Sequence, residues 1–440
     1  MKNKLILVFS LLCFVTMFSQ ESKQNFTLQE AIDYALEHNR TSKNASRDIE
    51  AAKKQKWETI ATGLPQIDGT ISYVNNVERQ FPAIDFDGDG AIDISAKQNI
   101  TPTVTLNQLL FDGSYLVGLQ SAKVFLEISK NAKEKTDLET RKATINAYGN
   151  VLLAEESIKI LQRNITVLEK NLNEITKIYE NGLEEEESVE QLQITLSGLK
   201  SNLSNTTRLK DLSYQMLNII LGLDINNPTI LTDTLKTLAV ENMKLNLLDT
   251  DNNVENTIDY KIANNNKVSK ELLVKLEQSR ALPTLNGFLT ASYIGNNSKF
   301  RFLDNSQFWA GTAAFGLNLD IPIFGSGLKS ARTQRAKIDL QKAEDDLTET
   351  EQKLKLQIAS AKSDFKFAIE DYENKQQNLN LAERIEQKNQ TKFFEGIASS
   401  FELRQAQTQL YSSQQEFLQA MLDVINKKAD LETVLNTINN

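Results

Sequence analysis

Cysteine, histidine, proline and tryptophan are nearly absent from this chain of 440 residues, with 1, 1, 6 and 2 copies. The one cysteine, Cys13, lies in the N-terminal apolar stretch, so the rest of the chain has no thiol for a disulfide or a nucleophile. The one histidine, His38, has no partner set for a metal and sits near an expected helix end, where it can meet the last carbonyls. Aromatic residues are 7%, too few for large aromatic-rich cores. Net charge is −9, and no basic patch with interleaved aromatics occurs, which excludes a nucleic-acid binder. No phosphate loop, zinc spacing or oriented nucleophile–base set appears. Nothing therefore points to an enzyme or to a cofactor. Past the N-terminus, no apolar run is long enough for a transmembrane helix.

What is present begins with an export signal. Lys2 and Lys4 precede the apolar run Leu5–Phe18, with cleavage expected near Ser19-Gln20-Glu21. Leu12 stands where a lipoprotein needs a small residue before its cysteine.

Two periodicities fill the rest. Ala147, Val151, Ala154, Ile158, Leu161, Ile165, Leu168, Leu172, Ile175 and Tyr179 recur in steps of four and three, the 3.5 period of a left-handed supercoil. A return helix carries Val189, Leu192, Leu196, Leu199, Leu203, Leu209, Leu212, Met216 and Ile219. A later helix carries Leu354, Ile358, Ala361, Phe365, Ala368, Tyr372, Leu379 and Ala382. Elsewhere the period is two. Ile67, Gly69, Ile71 and Tyr73 alternate with Asp68, Thr70 and Ser72. Ile100, Val104, Leu106 and Leu110 oppose Thr101, Thr103, Thr105 and Asn107. Trp309, Ala313, Phe315, Leu317, Leu319, Ile321 and Ile323 share a face opposite Thr312, Asn318 and Asp320. Thr27 with Glu30 has the spacing of a capping box.

The series is built twice. Leu64-Pro65-Gln66-Ile67-Asp68-Gly69 recurs 218 residues later as Leu282-Pro283-Thr284-Leu285-Asn286-Gly287. Phe111-Asp112-Gly113 recurs 213 residues on as Phe324-Gly325-Ser326, and Gly182 recurs 214 residues on as Gly396. Each half reads helix, strand, loop, strand, long helix, tight turn, helix. The expected division is a leader over 1–20, a first repeat over 21–222, an irregular segment over 223–254 and a second repeat over 255–440.

A helix of sixty-odd residues is roughly 90–100 Å long, far beyond a globular domain. Strands of about ten alternating residues suit a tilted bilayer crossing with lipid on one side and water on the other. Four strands cannot close a barrel, and an open edge in lipid leaves backbone groups unsatisfied, so the chain must oligomerise to insert.

These features together resemble the TolC family of outer-membrane efflux proteins over the whole mature chain. The resemblance rests on the ordered duplicate, the Leu-Pro strand entries, the strand-to-helix joints and the tip glycines. It implies an α+β membrane protein in which a homotrimer forms a twelve-stranded β-barrel continuous with a long α-helical coiled-coil barrel. Outer-membrane lipid would surround the strands, and the helices would extend into the periplasm of a Gram-negative bacterium. The implied function is a passive exit duct of a tripartite efflux or type I secretion system, docked to a periplasmic adaptor and an inner-membrane pump. The alternative is an exported coiled-coil scaffold without channel activity, which has no need of two apolar-faced hairpins.

The resemblance assigns sites. The joints between barrel and helices fall at Phe111, Gly113, Phe324 and Gly325. The adaptor-docking tips, Tyr179–Glu187 and Phe393–Leu403, bring forward Tyr179, Asn181, Gly182, Glu184, Phe393, Glu395 and Gly396. The pore constriction falls at Glu402, and Gln405 stands where the family has a second acidic residue. From the residues alone, Glu184-Glu185-Glu186-Glu187 reads as first-turn carboxylates favoured by the helix dipole, or as an acidic collar. Asp85, Asp87, Asp89 and Asp93 have calcium-loop spacing, but Ala96 replaces the bidentate glutamate at the twelfth position. Trp57, Tyr73, Tyr293 and Trp309 read as packing or membrane-interface anchors.

Overall fold

The computed structural model describes residues 24–78, 97–249 and 253–437. The expected leader and the loop with Asp85, Asp87, Asp89 and Asp93 lie outside the described residues. The elements are β1 (Gln24–Phe26), α1 (Leu28–His38), α2 (Arg40–Ala61), β2 (Gln66–Asn75), β3 (Gln98–Phe111), α3 (Gly113–Glu180) and α4 (Glu186–Leu221). Then follow β4 (Thr229–Leu231), α5 (Leu235–Asn242), α6 (Ile258–Ser279), β5 (Thr284–Asn297), β6 (Trp309–Asp320), α7 (Leu328–Phe394) and α8 (Ser400–Leu435). The duplication holds element by element. α2 and α6 each have 22 residues, α3 and α7 have 68 and 67, and α4 and α8 each have 36.

The chain forms two compact units. One takes the chain up to Ser46, Lys133–Asp259 and everything from Glu351. The other takes Arg47–Ala132 and Tyr260–Thr350.

The second unit contains an antiparallel sheet in the order β2-β3-β5-β6. The central pair, β3 with β5, joins the two repeats, and Leu110 bulges between paired Leu109 and Phe111. The alternation is as the sequence sets it. Tyr73, Ile100, Gly295 and Trp309 stand in one cross-strand row, and Ile67, Leu106, Leu289 and Phe315 in another on the same face. That apolar face is open in the single chain, with Ile71 at 74% and Phe315 at 87% exposure. At the sheet end away from the helices, the rings of Phe300 and Phe302 meet Tyr73 edge-on, at 5.9 and 6.2 Å. β2 and β6 are the edges, each paired on one side only among the described residues. β6 stops at Asp320, so Ile321 and Ile323 fall outside the strand where the alternation had placed them. Pro322 has no N–H to continue the ladder, and Pro283 precedes the facing residue Thr284.

The other unit is helical and buries Ala31, Ile32 and Ala35 of α1, Leu138, Ile145 and Tyr148 of α3, and Leu418, Leu422 and Ile425 of α8. Thr27 makes the expected capping box, its hydroxyl accepting from Glu30 N while the Glu30 carboxylate accepts from Thr27 N at 2.8 Å. His38 Nδ1 lies 3.1 Å from the Tyr34 carbonyl, the helix-end contact expected of it. Gly222 ends α4 with φ 78°, and a Cβ there would sit 2.4 Å from the His38 carbonyl oxygen, so both backbone angle and space demand glycine.

Residues 223–249 hold more order than the sequence suggests. β4 pairs in parallel with β1, Gln24 against Thr229 through Phe26 against Leu231. The Tyr148 hydroxyl lies 3.0 Å from both the Phe26 carbonyl and Asp233 Oδ2, and Asp233 Oδ2 also accepts from Leu28 N at 2.7 Å. Strands of three residues leave no periodic trace, which is why this pair is invisible in the sequence.

The α3 seam is buried from Ala147 to Ile175, apart from partly buried Ile158 and Leu172, and Tyr179 emerges at the end. The α4 seam divides. Val189, Leu192, Leu196 and Leu199 are buried, whereas Leu209, Leu212, Met216 and Ile219 are exposed. The step from Leu203 to Leu209 is six residues, which turns the apolar stripe away from the face set by steps of three and four. Among the described residues, no helix is long and apolar enough to cross a membrane.

Candidate functional site

Two helical-hairpin tips carry the most unusual chemistry. Each ends with glycine in the left-handed region, Gly182 at φ 71° and Gly396 at φ 75°. Each closes with the same pair of backbone bonds. Leu183 N donates to Ile178 O at 3.1 Å and Gly182 N to Tyr179 O at 2.8 Å. Ile397 N donates to Lys392 O at 2.8 Å and Gly396 N to Phe393 O at 2.9 Å. This motif satisfies the last carbonyls of a helix and normally buries the apolar residue after the glycine. Here that residue stays in solvent, Leu183 at 78% and Ile397 at 71% exposure. Tyr179, Phe394 and Phe401 are exposed beside them, and the Arg404 guanidinium lies over the Phe401 ring at 5.4 Å.

Under the exposed rim lies a tight core. Leu161, Ile165, Leu168 and Ile175 of α3 pack with Val189, Leu192, Leu196 and Leu199 of α4, and Phe393 and Leu403 complete it. Phe393 was expected on the docking surface. It is buried in this core, because its place on α7 points at the α3–α4 pair, and its neighbour Phe394 takes the outer position. The two tips are joined by a hydroxyl pair, Ser188 Oγ and Ser400 Oγ lying 2.8 Å apart.

The acidic residues differ in their commitments. Glu184 accepts from the Ser188 hydroxyl at 2.7 Å, and Glu187 accepts from the Gln191 amide at 2.6 Å. Glu185 is the N-cap of α4 but makes no side-chain capping bond, and Glu186 and Glu187 occupy the first turn, where the helix dipole favours them. At the second tip, Ser399 and Glu402 form a reciprocal capping box. Glu402 N donates to Ser399 Oγ at 3.3 Å, and Ser399 N donates to the Glu402 carboxylate at 2.8 Å. These bonds from Ser399 hold the Glu402 carboxyl below its ordinary range. The carboxylate is exposed, so the cap does not hide its charge. Gln405 lines an open groove along α8 with Phe401, Arg404 and Thr408. Asn181 donates to the Lys177 carbonyl at 2.6 Å and is exposed, as are Gly182, Glu395 and Gly396.

Behind the tip core lies a polar layer that sequence reasoning missed. Asn164 donates to Gln414 at 2.7 Å, and Gln390 donates to Asn171 at 3.2 Å. Gln407 is 1% exposed, and neither of its amide atoms has a hydrogen-bond partner among the described residues. Burial pushes the Glu386 carboxyl up, while the Gln407 amide beside it pulls the other way without reaching hydrogen-bond geometry. Burial and the Glu386 charge push the Tyr411 hydroxyl up to about 12. Single Asn and Gln residues inside a helical repeat look like solvent-facing positions, so the sequence gives little sign of this layer.

The joints differ in build. Asp112 caps α3 by accepting from Ser114 N at 2.6 Å, and a Cβ on Gly113 would sit 2.8 Å from Leu282 Cδ1. Phe111 and Phe324 are both exposed, and open space surrounds Gly325. Before α7 the chain instead turns through Ser326 at φ 48° and Gly327 at φ 78°. Trp57 is exposed on α2. No group of three or more His, Cys, Asp or Glu side chains suited to a metal occurs among the described residues.

The sequence model of the family described as outer membrane efflux protein matches residues 31–223 and 269–437. No curated protein matches the chain in sequence. Solved structures match in fold. The Campylobacter jejuni CmeC outer membrane channel superposes with a TM-score of 0.75 at 17% identity, covering 93% of this chain and 85% of that one. The outer membrane protein VceC from Vibrio cholerae gives 0.74 at 16%, covering 93% and 96%. The open-state Neisseria gonorrhoeae MtrE outer membrane channel gives 0.70 at 17%, covering 93% and 88%.

Proposed function

The chain belongs to the outer membrane efflux protein family, whose members are efflux ducts and not enzymes, and on that premise we propose that three copies assemble into one continuous duct. The protein resides in the outer membrane and reaches into the periplasm. Three four-stranded sheets would close a twelve-stranded barrel, and the long helices would continue it as a tunnel. Small molecules or proteins would enter at the tips from a periplasmic adaptor fed by an inner-membrane pump, in a tripartite efflux or type I secretion system. The duct itself is passive.

One observation carries this reading. The sheet β2-β3-β5-β6 has an exposed apolar face, a hydroxyl-bearing opposite face and two edges without a partner among the described residues. Lipid, water and a second copy would satisfy the three surfaces in turn. A coiled-coil scaffold would leave the apolar face without a partner. The exposed Leu183, Ile397, Phe394 and Phe401 support the tips as the adaptor contact, because an apolar rim on a solvent-facing turn calls for a partner. We place Glu402 at the periplasmic constriction, where its capped carboxylate would present negative charge.

The experiment is detergent extraction of outer membranes, native mass measurement and planar-bilayer recording. A trimer with stepwise conductance is the expected result, and a monomer or a silent trimer overturns the proposal. Leu183→Asp with Ile397→Asp should then abolish adaptor-dependent efflux while conductance persists. Undiminished efflux would remove the tips from docking.

A further inference from the structure

The sheet face opposite the apolar one is uncharged over most of its length. Thr70, Thr103, Ser292 and Thr312 form one cross-strand row, and the Ser292 and Thr312 hydroxyls pair at 2.9 Å. Toward the helices, the next row is Asp68, Thr105, Thr290 and Ala314, with the two threonine hydroxyls 3.2 Å apart. Away from the helices come Ser72, Thr101, Ile294 and Ala310, then Val74, Asn99 and Asn296, where the Asn99 amide donates to Asn296 at 2.8 Å. The four strands contain two carboxylates, Asp68 and Asp320, and no cationic side chain. Both carboxylates lie on edge strands toward the helix-joined end, Asp320 being the last residue of β6.

Distance decides how far their field reaches. Rows on one face are two residues apart, about 7 Å along a strand. The screening length at physiological salt is about 8 Å. The Asp68 charge is therefore strongest in its own row, is reduced to a small remainder about a screening length away in the Ser292 row, and is screened at the Ser72 and Asn99 rows.

We propose that the outer part of the barrel is a charge-blind passage whose polar lining is hydroxyl and amide groups. Cationic, anionic and neutral polar solutes cross it alike, because hydroxyl groups both donate and accept hydrogen bonds and carry no net charge. Within the four strands, sorting by charge is then confined to the barrel base, at Asp68 and Asp320. The cargo class admitted by the barrel is polar solutes of either sign. This rests on the duct reading above, which assigns the hydroxyl face to the lumen.

Cys13 is the sequence's one cysteine and lies in the expected leader, so one added thiol can be followed alone in the mature protein. Ser292→Cys is nearly isosteric, and Thr103→Cys provides a second probe of the same row. Val104→Cys probes the opposite face. Each is exposed in planar bilayers to a cationic trimethylammonium and an anionic sulfonate methanethiosulfonate, with rates divided by those of a free small thiol. At Ser292→Cys and Thr103→Cys the two normalised rates should agree within about threefold at physiological salt. At Thr105→Cys, in the Asp68 row, the cationic reagent should be clearly faster, and Val104→Cys should be unreactive. A cation preference above about tenfold at both row positions overturns charge-blindness and leaves the duct standing. Reaction at Val104→Cys with none at Ser292→Cys or Thr103→Cys overturns the lumen assignment, and the inference with it.

Discussion

Glu402 is asked to do two jobs, and one substitution series separates them. Its carboxylate closes a capping box with Ser399 through bonds of 2.8 and 3.3 Å, and its exposed charge is the one proposed above for the constriction. Glutamine preserves a capping box, because its side-chain oxygen can accept the Ser399 N–H. Glu402→Gln should therefore keep the tip closed but lower cation selectivity. Ser399→Ala keeps the charge and removes the cap, which costs about 1 kcal/mol per helix. In the proposed trimer that is about 3 kcal/mol if the three tips open together, roughly a hundredfold in the open population. Glu402→Ala should show both effects. The assay is reversal potential and open probability in planar bilayers under a potassium chloride gradient. The sign with pH is fixed. The folded pKa lies below the ordinary 4.5, so the carboxylate's stabilising contribution is complete above 4.5 and is lost as pH falls through the lower folded value. Unchanged selectivity in Glu402→Gln would reduce Glu402 to a cap. Unchanged open probability in Ser399→Ala would show that the cap does not hold the tip.

Gly182→Ala and Gly396→Ala meet no neighbour within 4 Å, so only the left-handed backbone opposes them. Each should cost about 1–2 kcal/mol, read as a lower unfolding temperature, and a neutral result would mean that the turn relaxes. Glu386→Gln should raise the unfolding temperature at neutral pH. The native carboxyl titrates above the ordinary 4.5, so its charge penalty is absent below 4.5 and grows as pH rises through the folded value. A benefit that persisted below pH 4.5 would refute the electrostatic account. Tyr148→Phe removes the hydroxyl 3.0 Å from Phe26 O and Asp233 Oδ2, and should cost about 1–2 kcal/mol. It should also speed proteolysis near β1. Wild-type protease resistance would show that the β1–β4 pair holds without it.

The architecture was legible because it is periodic and repeated. A seam of threes and fours needs no tertiary knowledge to be read as supercoil, and alternation over ten residues fixes both faces of a strand. Where period fails, so does legibility. The six-residue step after Leu203 turned the α4 stripe outward, and Pro322 ended β6 before Ile323. The helix-ending turns fall at Gly182 and Gly396, as their glycines suggest, but the surroundings of the neighbouring side chains depend on partners from another hairpin. Phe393 was moved into the core by the α3–α4 pair, and Ser188 found Ser400 across 212 residues of sequence. Ser399 with Glu402 has the same spacing as Thr27 with Glu30, so that capping box is legible in the sequence even where the residue invites a charge role.

The capping box also shows where the duplicated halves have diverged. Both tips use the same glycine turn and the same two backbone bonds. Only the second ties its following helix with a side-chain cap, because Glu185 stands where Ser399 stands and makes no capping bond. The first tip instead has carboxylates in its opening turn, which act through the helix dipole and weaken with added salt. A hydrogen-bonded cap is less salt-sensitive than a dipole interaction at an exposed helix end. Raising salt should thus loosen the start of α4 before that of α8, seen as earlier amide exchange at Val189 than at Leu403. Equal responses would mean that the four glutamates contribute nothing to the start of α4 and serve only as an acidic collar.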